Sequence, residues 1–189
     1  MNLTTKIEKA IKKAAALHTG QTRRFDNLTP YITHPFSVAI ILSKYTNDEN
    51  IVIAGLLHDT LEDTNYKPEE MAADFGAEVK DIVLGVSEPP TKEKDSRNWA
   101  ERKEAYLDQL SKAPEGSLMV SAADKIHNLS SLIEEYETYG PKLLEKFHSS
   151  PAQRLGFDKK VLKIIRERLN NKIAEELATV IQRAENLFL

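Results

Sequence analysis

Ile51-Val52-Ile53-Ala54-Gly55-Leu56-Leu57-His58-Asp59-Thr60-Leu61-Glu62-Asp63 is the stretch on which the reading of this chain turns. Seven apolar residues run directly into four ionisable ones. Asp48 or Asn50 caps the start of a helix here, and the helix is expected to end near Asp59 to Asp63. The apolar run is expected to be buried. Charges at the end of a buried run must be paired or bound to a metal, because burying a lone charge is costly. Adjacent helical side chains diverge by about 100°, so His58 and Asp59 grip one ion only if it sits at the edge between them. Glu62 follows His58 by four residues and Asp63 follows Asp59 by four. Residues four apart share a helix face, so free carboxylates stand one turn beyond the two ligand-type residues.

Two other segments carry matching chemistry. Pro30-Tyr31-Ile32-Thr33-His34-Pro35 reads as a loop turning into a helix, with Pro35 suited to its first turn. Val120-Ser121-Ala122-Ala123-Asp124-Lys125-Ile126-His127-Asn128-Leu129 reads as an apolar helix interrupted by polar residues. His34, His58, Asp59 and Asp124 together make a ligand set for one divalent ion. Imidazole and carboxylate without thiolate suit manganese, iron, zinc or magnesium, and two histidines favour manganese over magnesium. Asn128 stands one turn after Asp124 on the same face, where its amide can donate to a phosphate or a sugar.

The rest of the chain reads as helix. Glycine is scarce, with seven in 189 residues. Capping or proline signals open helices at Thr4 or Thr5, at His34 (to about Lys44), at Asp48 or Asn50, at Pro68 and at Ala77, and Trp99 opens another. The β-branched runs lie inside helical periodicity and no strand pair is evident. The last helix is expected as one piece, from about Asp158 to Glu185. It carries Val161, Leu162, Ile165, Leu169, Ile173, Leu177, Val180 and Ile181 as one packing stripe, which closes the core or forms a dimer seam. Residues 87–96 form the clearest loop, with two prolines and mixed charge. The fold class is therefore all-α, in a single domain covering residues 1–189.

These stretches resemble the HD phosphohydrolase superfamily. They are most similar to the hydrolase domain of the Rel/Spo alarmone synthetase-hydrolases and to the small stand-alone alarmone hydrolases. The similarity runs from about residue 5 to about 135. It is carried by His18 to Arg24, Thr29 to Pro35, Leu56 to Thr64, Asp74-Phe75-Gly76 and Ala123 to Leu129. Glu62-Asp63 after His58-Asp59 marks the alarmone branch. The resemblance implies an HD-type helical bundle whose C-terminal helices close the core. It implies a metal-dependent enzyme, usually manganese-loaded, that removes the 3′-diphosphate from guanosine 3′,5′-bis(diphosphate). Carried over, His34, His58, Asp59 and Asp124 are metal ligands, and Glu62 and Asp63 position or deprotonate the attacking water. Asn128 and Arg23 or Arg24 contact the nucleotide. Arg97 and Arg102 are further substrate-binding candidates near the loop. Arg154, from its own position, is a candidate for the base or a phosphate.

Composition bounds the alternatives. A net charge of −3 and a pI near 6.0 imply no broad affinity for nucleic acid. No cysteine is present, which excludes disulfides and thiolate metal sites. The first residues lack a signal-peptide core, and no run approaches the roughly 20 apolar residues that span a membrane. The expectation is a cytoplasmic monomer or homodimer acting on a small-molecule nucleotide. The rival readings keep the metal and change the chemistry: a nucleotide or NADPH phosphatase, or a nucleotide-binding sensor without turnover.

Overall fold

A computed structural model describes residues 2–23, 28–88, 99–147 and 149–189. Among them the regular structure is helical, apart from one isolated bridge between Thr22 and Pro30. The α-helices are α1 (Thr5–Leu17), α2 (Thr33–Ser43), α3 (Glu49–Leu57), α4 (Thr60–Asp63), α5 (Pro68–Phe75), α6 (Ala77–Val86), α7 (Trp99–Lys112), α8 (Glu115–Tyr139), α9 (Pro151–Arg168) and α10 (Ile173–Phe188). A 3-10 helix, Pro141–Lys146, links α8 to α9. Among the described residues no helix is long and apolar enough to cross a membrane.

The bundle is organised around α8, which packs against α2, α3, α6, α9 and α10. Its first half, Gly116 to Ala123, is buried on every side. A helix enclosed all round can present polar groups only to a built interior site, and Asp124 follows immediately. Gly140 ends α8 with φ at +74°, a left-handed conformation that side chains other than glycine adopt with strain.

Several helix starts follow their caps. The Thr4 side chain accepts from the Ile7 amide, and Asp48 accepts from Asn50. Ser150 and Gln153 form a reciprocal capping box ahead of Pro151. That box starts α9 at Pro151, seven residues before the expected start of the last helix. The expected single helix from Asp158 to Glu185 is in fact α9 and α10. Leu169 leaves helical geometry at φ −115°, ψ 127°. The Asn171 side chain then accepts from the Ile173 amide and restarts the chain as α10. The apolar stripe is continuous across the break, so periodicity alone hides it. Asparagine side chains that bond nearby backbone compete with helix, and Asn170-Asn171 was the available signal.

The third helix also ends earlier than its pattern suggests. Regular α3 stops at Leu57, and His58-Asp59 form the turn into α4. Side chains take up the carbonyls left by this ending. The His58 ring bonds Gly55 O at 2.9 Å, and Thr60 Oγ1 donates to Leu57 O at 2.6 Å. Both residues keep right-handed helical dihedrals, and the Asp59 carboxylate reaches the imidazoles of His34 and His58.

Close approach of α6 and α8 fixes the floor of the bundle. A Cβ placed on Gly85 would lie 2.3 Å from Ser117 Oγ and 2.9 Å from Ala113 Cβ. Ser117 Oγ is itself held, donating to Ile82 O at 2.8 Å. Gly85→Ala is therefore expected to destabilise the fold by about 1–3 kcal/mol, the usual cost of overpacking. A lowered urea midpoint at unchanged slope would register it.

Candidate metal centre and cleft

Three segments converge on one point. His34 comes from the first turn of α2, His58 and Asp59 from the α3–α4 turn, and Asp124 from the middle of α8. His34 Nε2 is 3.1 Å from Asp124 Oδ1 and 3.5 Å from Asp59 Oδ2. His58 Nε2 is 3.1 Å from Asp59 Oδ2 and 3.7 Å from Asp124 Oδ1. Ligand atoms about 2.0–2.2 Å from one divalent ion lie roughly 3–3.5 Å from each other. Three of these four separations fall in that range and the fourth is 3.7 Å. His34, His58 and Asp59 meet the geometric criterion for a shared ion as a trio, and Asp124 joins through its distances to both imidazoles.

The donor chemistry fits a cation as well. The buried His58 ring gives its Nδ1–H to Gly55 O, which leaves Nε2 as the atom facing the carboxylates. That Nε2 is buried and has no hydrogen-bond partner, because neither carboxylate, although near, is suitably aligned. A backbone carbonyl holding the far nitrogen is the usual support of a metal-binding imidazole. Electrostatics agree. Burial alone lowers the His58 pKa, but Asp59 and Asp124 outweigh it and hold the ring well above its ordinary value. Burial alone raises the Asp124 pKa, but Lys125 and the two imidazoles hold it well below the carboxylate range. The centre attracts positive charge.

The two aspartates are also held by neighbours, at the outer oxygen of Asp124 and at the imidazole-facing oxygens of both. Tyr31 Oη donates to Asp59 Oδ2 at 2.6 Å. Lys125 Nζ donates to Asp124 Oδ2 at 2.6 Å, and Asn128 Nδ2 donates to Asp124 Oδ1 at 2.6 Å. The His34 Nδ1 lies 2.8 Å from His127 Nδ1. Tyr31, Lys125 and His127 are site residues that sequence reasoning missed. A lysine directly after a ligand-type aspartate in an apolar helix was the signal for Lys125. Nothing in the local pattern separated His127 from an ordinary helical histidine.

Glu62 lines a cavity of about 150 Å³ together with the four cluster residues. Burial pushes its pKa up to about 7, with Asp59, Glu88 and Asp63 adding to the rise against a hydrogen bond from the Glu88 amide. That amide donates to Glu62 Oε1 at 3.0 Å. Asp63 is exposed and is not among the residues lining this cavity. Its backbone carbonyl accepts from Gln21 Nε2 at 3.0 Å.

A larger cleft of about 740 Å³ adjoins the first, and Tyr31, Lys103, Lys125, Asn128 and Phe157 border both. Its walls carry Arg23, Arg102, Lys103, Lys125 and Arg154. Arg23 reaches Asn128 Oδ1 at 3.4 Å and lies over the Tyr31 ring. Arg154 stacks on Phe147 with 3.6 Å from guanidinium to ring centre. Lys103 and Arg102 both pair with Glu88. Asp158 lies in the same wall, and burial pushes its pKa up to about 6 against the pull of Lys125. A chain of net charge −3 thus concentrates cations along one cleft. Of the expected substrate-binding residues, Arg23, Arg102, Asn128 and Arg154 line the cleft. Arg24 and Arg97, with most of the 87–96 loop, lie outside the described residues.

An all-helical bundle with paired histidines and aspartates at its centre defines a class, and the chain belongs to the HD-domain family, whose profile matches residues 10–157. It is 39% identical over 121 residues to human guanosine-3′,5′-bis(diphosphate) 3′-pyrophosphohydrolase MESH1, covering 63% of this chain and 65% of that protein. The Xenopus tropicalis MESH1 is 38% identical over 128 residues, covering 67% and 69%. A Streptomyces coelicolor GTP pyrophosphokinase is 35% identical over 156 residues. That match covers 80% of this chain but 18% of the Streptomyces protein. Among solved structures, a metazoan SpoT ortholog described as hydrolysing ppGpp superposes with a TM-score of 0.78 at 26% identity, over 97% of both chains.

Proposed function

We propose that this protein is a metal-dependent pyrophosphohydrolase that removes diphosphate from the 3′ position of guanosine 3′,5′-bis(diphosphate). The observation that carries this reading is the juxtaposition of the four-atom cluster, the Glu62 carboxylate and a cation-lined cleft. Similarity to proteins named for that reaction supports the substrate.

In this reading His34, His58, Asp59 and Asp124 hold a divalent ion, most fittingly manganese. Such an ion, when bound, supplies Lewis-acid polarisation of a phosphoryl oxygen and a lowered pKa for water. Tyr31 and Lys125 orient the two carboxylates. Glu62 accepts the proton of the attacking water; its raised pKa suits a base working near neutral pH. Asp63, beside it, acts through charge rather than contact. Arg23, Arg102, Lys103, Lys125 and Arg154 neutralise the phosphates, and Asn128 donates to the nucleotide. Arg24 and Arg97 complete the set of proposed substrate contacts. The local positive cleft is needed because the net negative charge of the chain disfavours a polyanion. A cytoplasmic nucleotide hydrolase, monomeric or dimeric, is the corresponding cellular form.

The test is turnover of guanosine tetraphosphate by metal-stripped protein with manganese restored, with products separated. GDP plus diphosphate is expected. Release of orthophosphate instead would mark a nucleotide or NADPH phosphatase. Nucleotide binding with no hydrolysis would mark a sensor.

A further inference from the structure

We infer that His127 is a positioning residue that fixes the ring tautomer of His34 and thereby the affinity of the metal centre. The inference rests on the metal-site reading above. His34 is almost fully buried, at 1% exposure, so its ring nitrogens are partnered by protein groups rather than by bulk water. Its two nitrogens have different surroundings. Nε2 faces Asp124 Oδ1 and Asp59 Oδ2. Nδ1 faces His127 Nδ1 at 2.8 Å, with ring centres 4.8 Å apart and planes tilted by 45°. Two ring nitrogens at that distance require one N–H and one lone pair between them.

An imidazole that binds a metal through Nε2 must carry its proton on Nδ1. His34 Nδ1–H then needs an acceptor, and the atom in place is His127 Nδ1. His127 in turn must be neutral, with its proton on Nε2. His58 obtains the same support from a backbone carbonyl, Gly55 O, which can only accept. The carbonyl at the matching offset from His34, Tyr31 O, already accepts from the His34 backbone amide at 2.9 Å, and the atom facing His34 Nδ1 is a side-chain nitrogen instead. One stretch of α8 therefore provides a ligand at Asp124 and, three residues on, the support for a ligand from another helix. Residues three apart share a helix face, which is why both reach the same centre.

The test is manganese affinity of the full chain, with His127→Phe and His127→Asn beside the wild type. Phenylalanine keeps a ring against His34 and removes the acceptor. Asparagine places an amide oxygen near the position of Nδ1. His127→Phe is expected to weaken manganese binding about 10- to 100-fold, the usual effect of losing the partner of a metal-binding histidine. His127→Asn should recover most of that loss. Nitrogen-15 spectra of the histidine rings in zinc-loaded wild type should show a proton on His34 Nδ1 and none on His127 Nδ1. Wild-type affinity in a folded His127→Phe would overturn the inference. So would a proton on His127 Nδ1 in the zinc-loaded protein, a measurement that decides the matter if His127→Phe fails to fold. Absence of manganese binding in the wild type would overturn the metal-site reading itself, and this inference with it.

Discussion

Asp59→Ala is expected to abolish turnover while leaving the helical fold in place. The loss should reach about a thousandfold or more in kcat/KM, equivalent to roughly 4 kcal/mol of transition-state stabilisation. Asp59 Oδ2 is the atom nearest to both imidazoles taken together, at 3.5 Å from His34 Nε2 and 3.1 Å from His58 Nε2. Its removal takes away one of the four clustered atoms proposed to hold the ion and strands the Tyr31 hydroxyl, which donates to it. The fold should survive because Asp59 sits in the turn after α3 and anchors no helix through its side chain. Manganese affinity, turnover and the far-ultraviolet circular dichroism of the variant together check this. Wild-type turnover would remove Asp59 from the site.

Glu62→Gln should separate the two halves of the proposed chemistry. Glu62 lines the cavity but is not one of the four clustered groups. Manganese affinity is therefore expected to stay near wild type while kcat falls about 10²–10⁴-fold, the range of a lost general base. The pH profile gives a second readout. Burial raises the Glu62 pKa to about 7, so the carboxylate that accepts a proton is depleted below that value. Activity should therefore rise with pH on a limb that lies below about 7 in the metal-loaded enzyme, and level off above it. A bound cation nearby favours the carboxylate and moves the limb to lower pH. Glu62→Gln should lose this limb. A variant that keeps both the wild-type rate and the wild-type pH limb would exclude Glu62 as the base.

Much of the centre was legible because its parts carry unusual local chemistry. His58-Asp59 after a seven-residue apolar run cannot be an ordinary solvated helix end. Thr33-His34-Pro35 and Asp124 with Asn128 lie in helices of the same apolar character. Helix starts were legible where a side chain caps them, as at Thr4 and Asp48. The break between α9 and α10 was not, because the packing stripe continues through it and masks the one local signal, the asparagine pair whose Asn171 side chain accepts from the Ile173 amide. The pairing of Glu62 and Asp63 was read as symmetric. The fold separates them, because adjacent helical side chains diverge by about 100°: both are exposed, but Glu62 lines the cavity and Asp63 does not.

By itself the sequence determined the all-helical class, the four clustered residues and the carboxylate next to them. Helical periodicity is local and is enough for the class, while the site residues were put forward on residue type and on the resemblance to the HD superfamily. Only the tertiary structure decided which atoms meet. Tyr31 on Asp59 and His127 on His34 depend on how the segments around α2, α3 and α8 pack, and the line of cations along the cleft depends on α7 and α9 as well. Those contacts join residues up to about a hundred positions apart, such as Arg23 and Asn128. No local pattern encodes such a distance; burial of the shared core sets it.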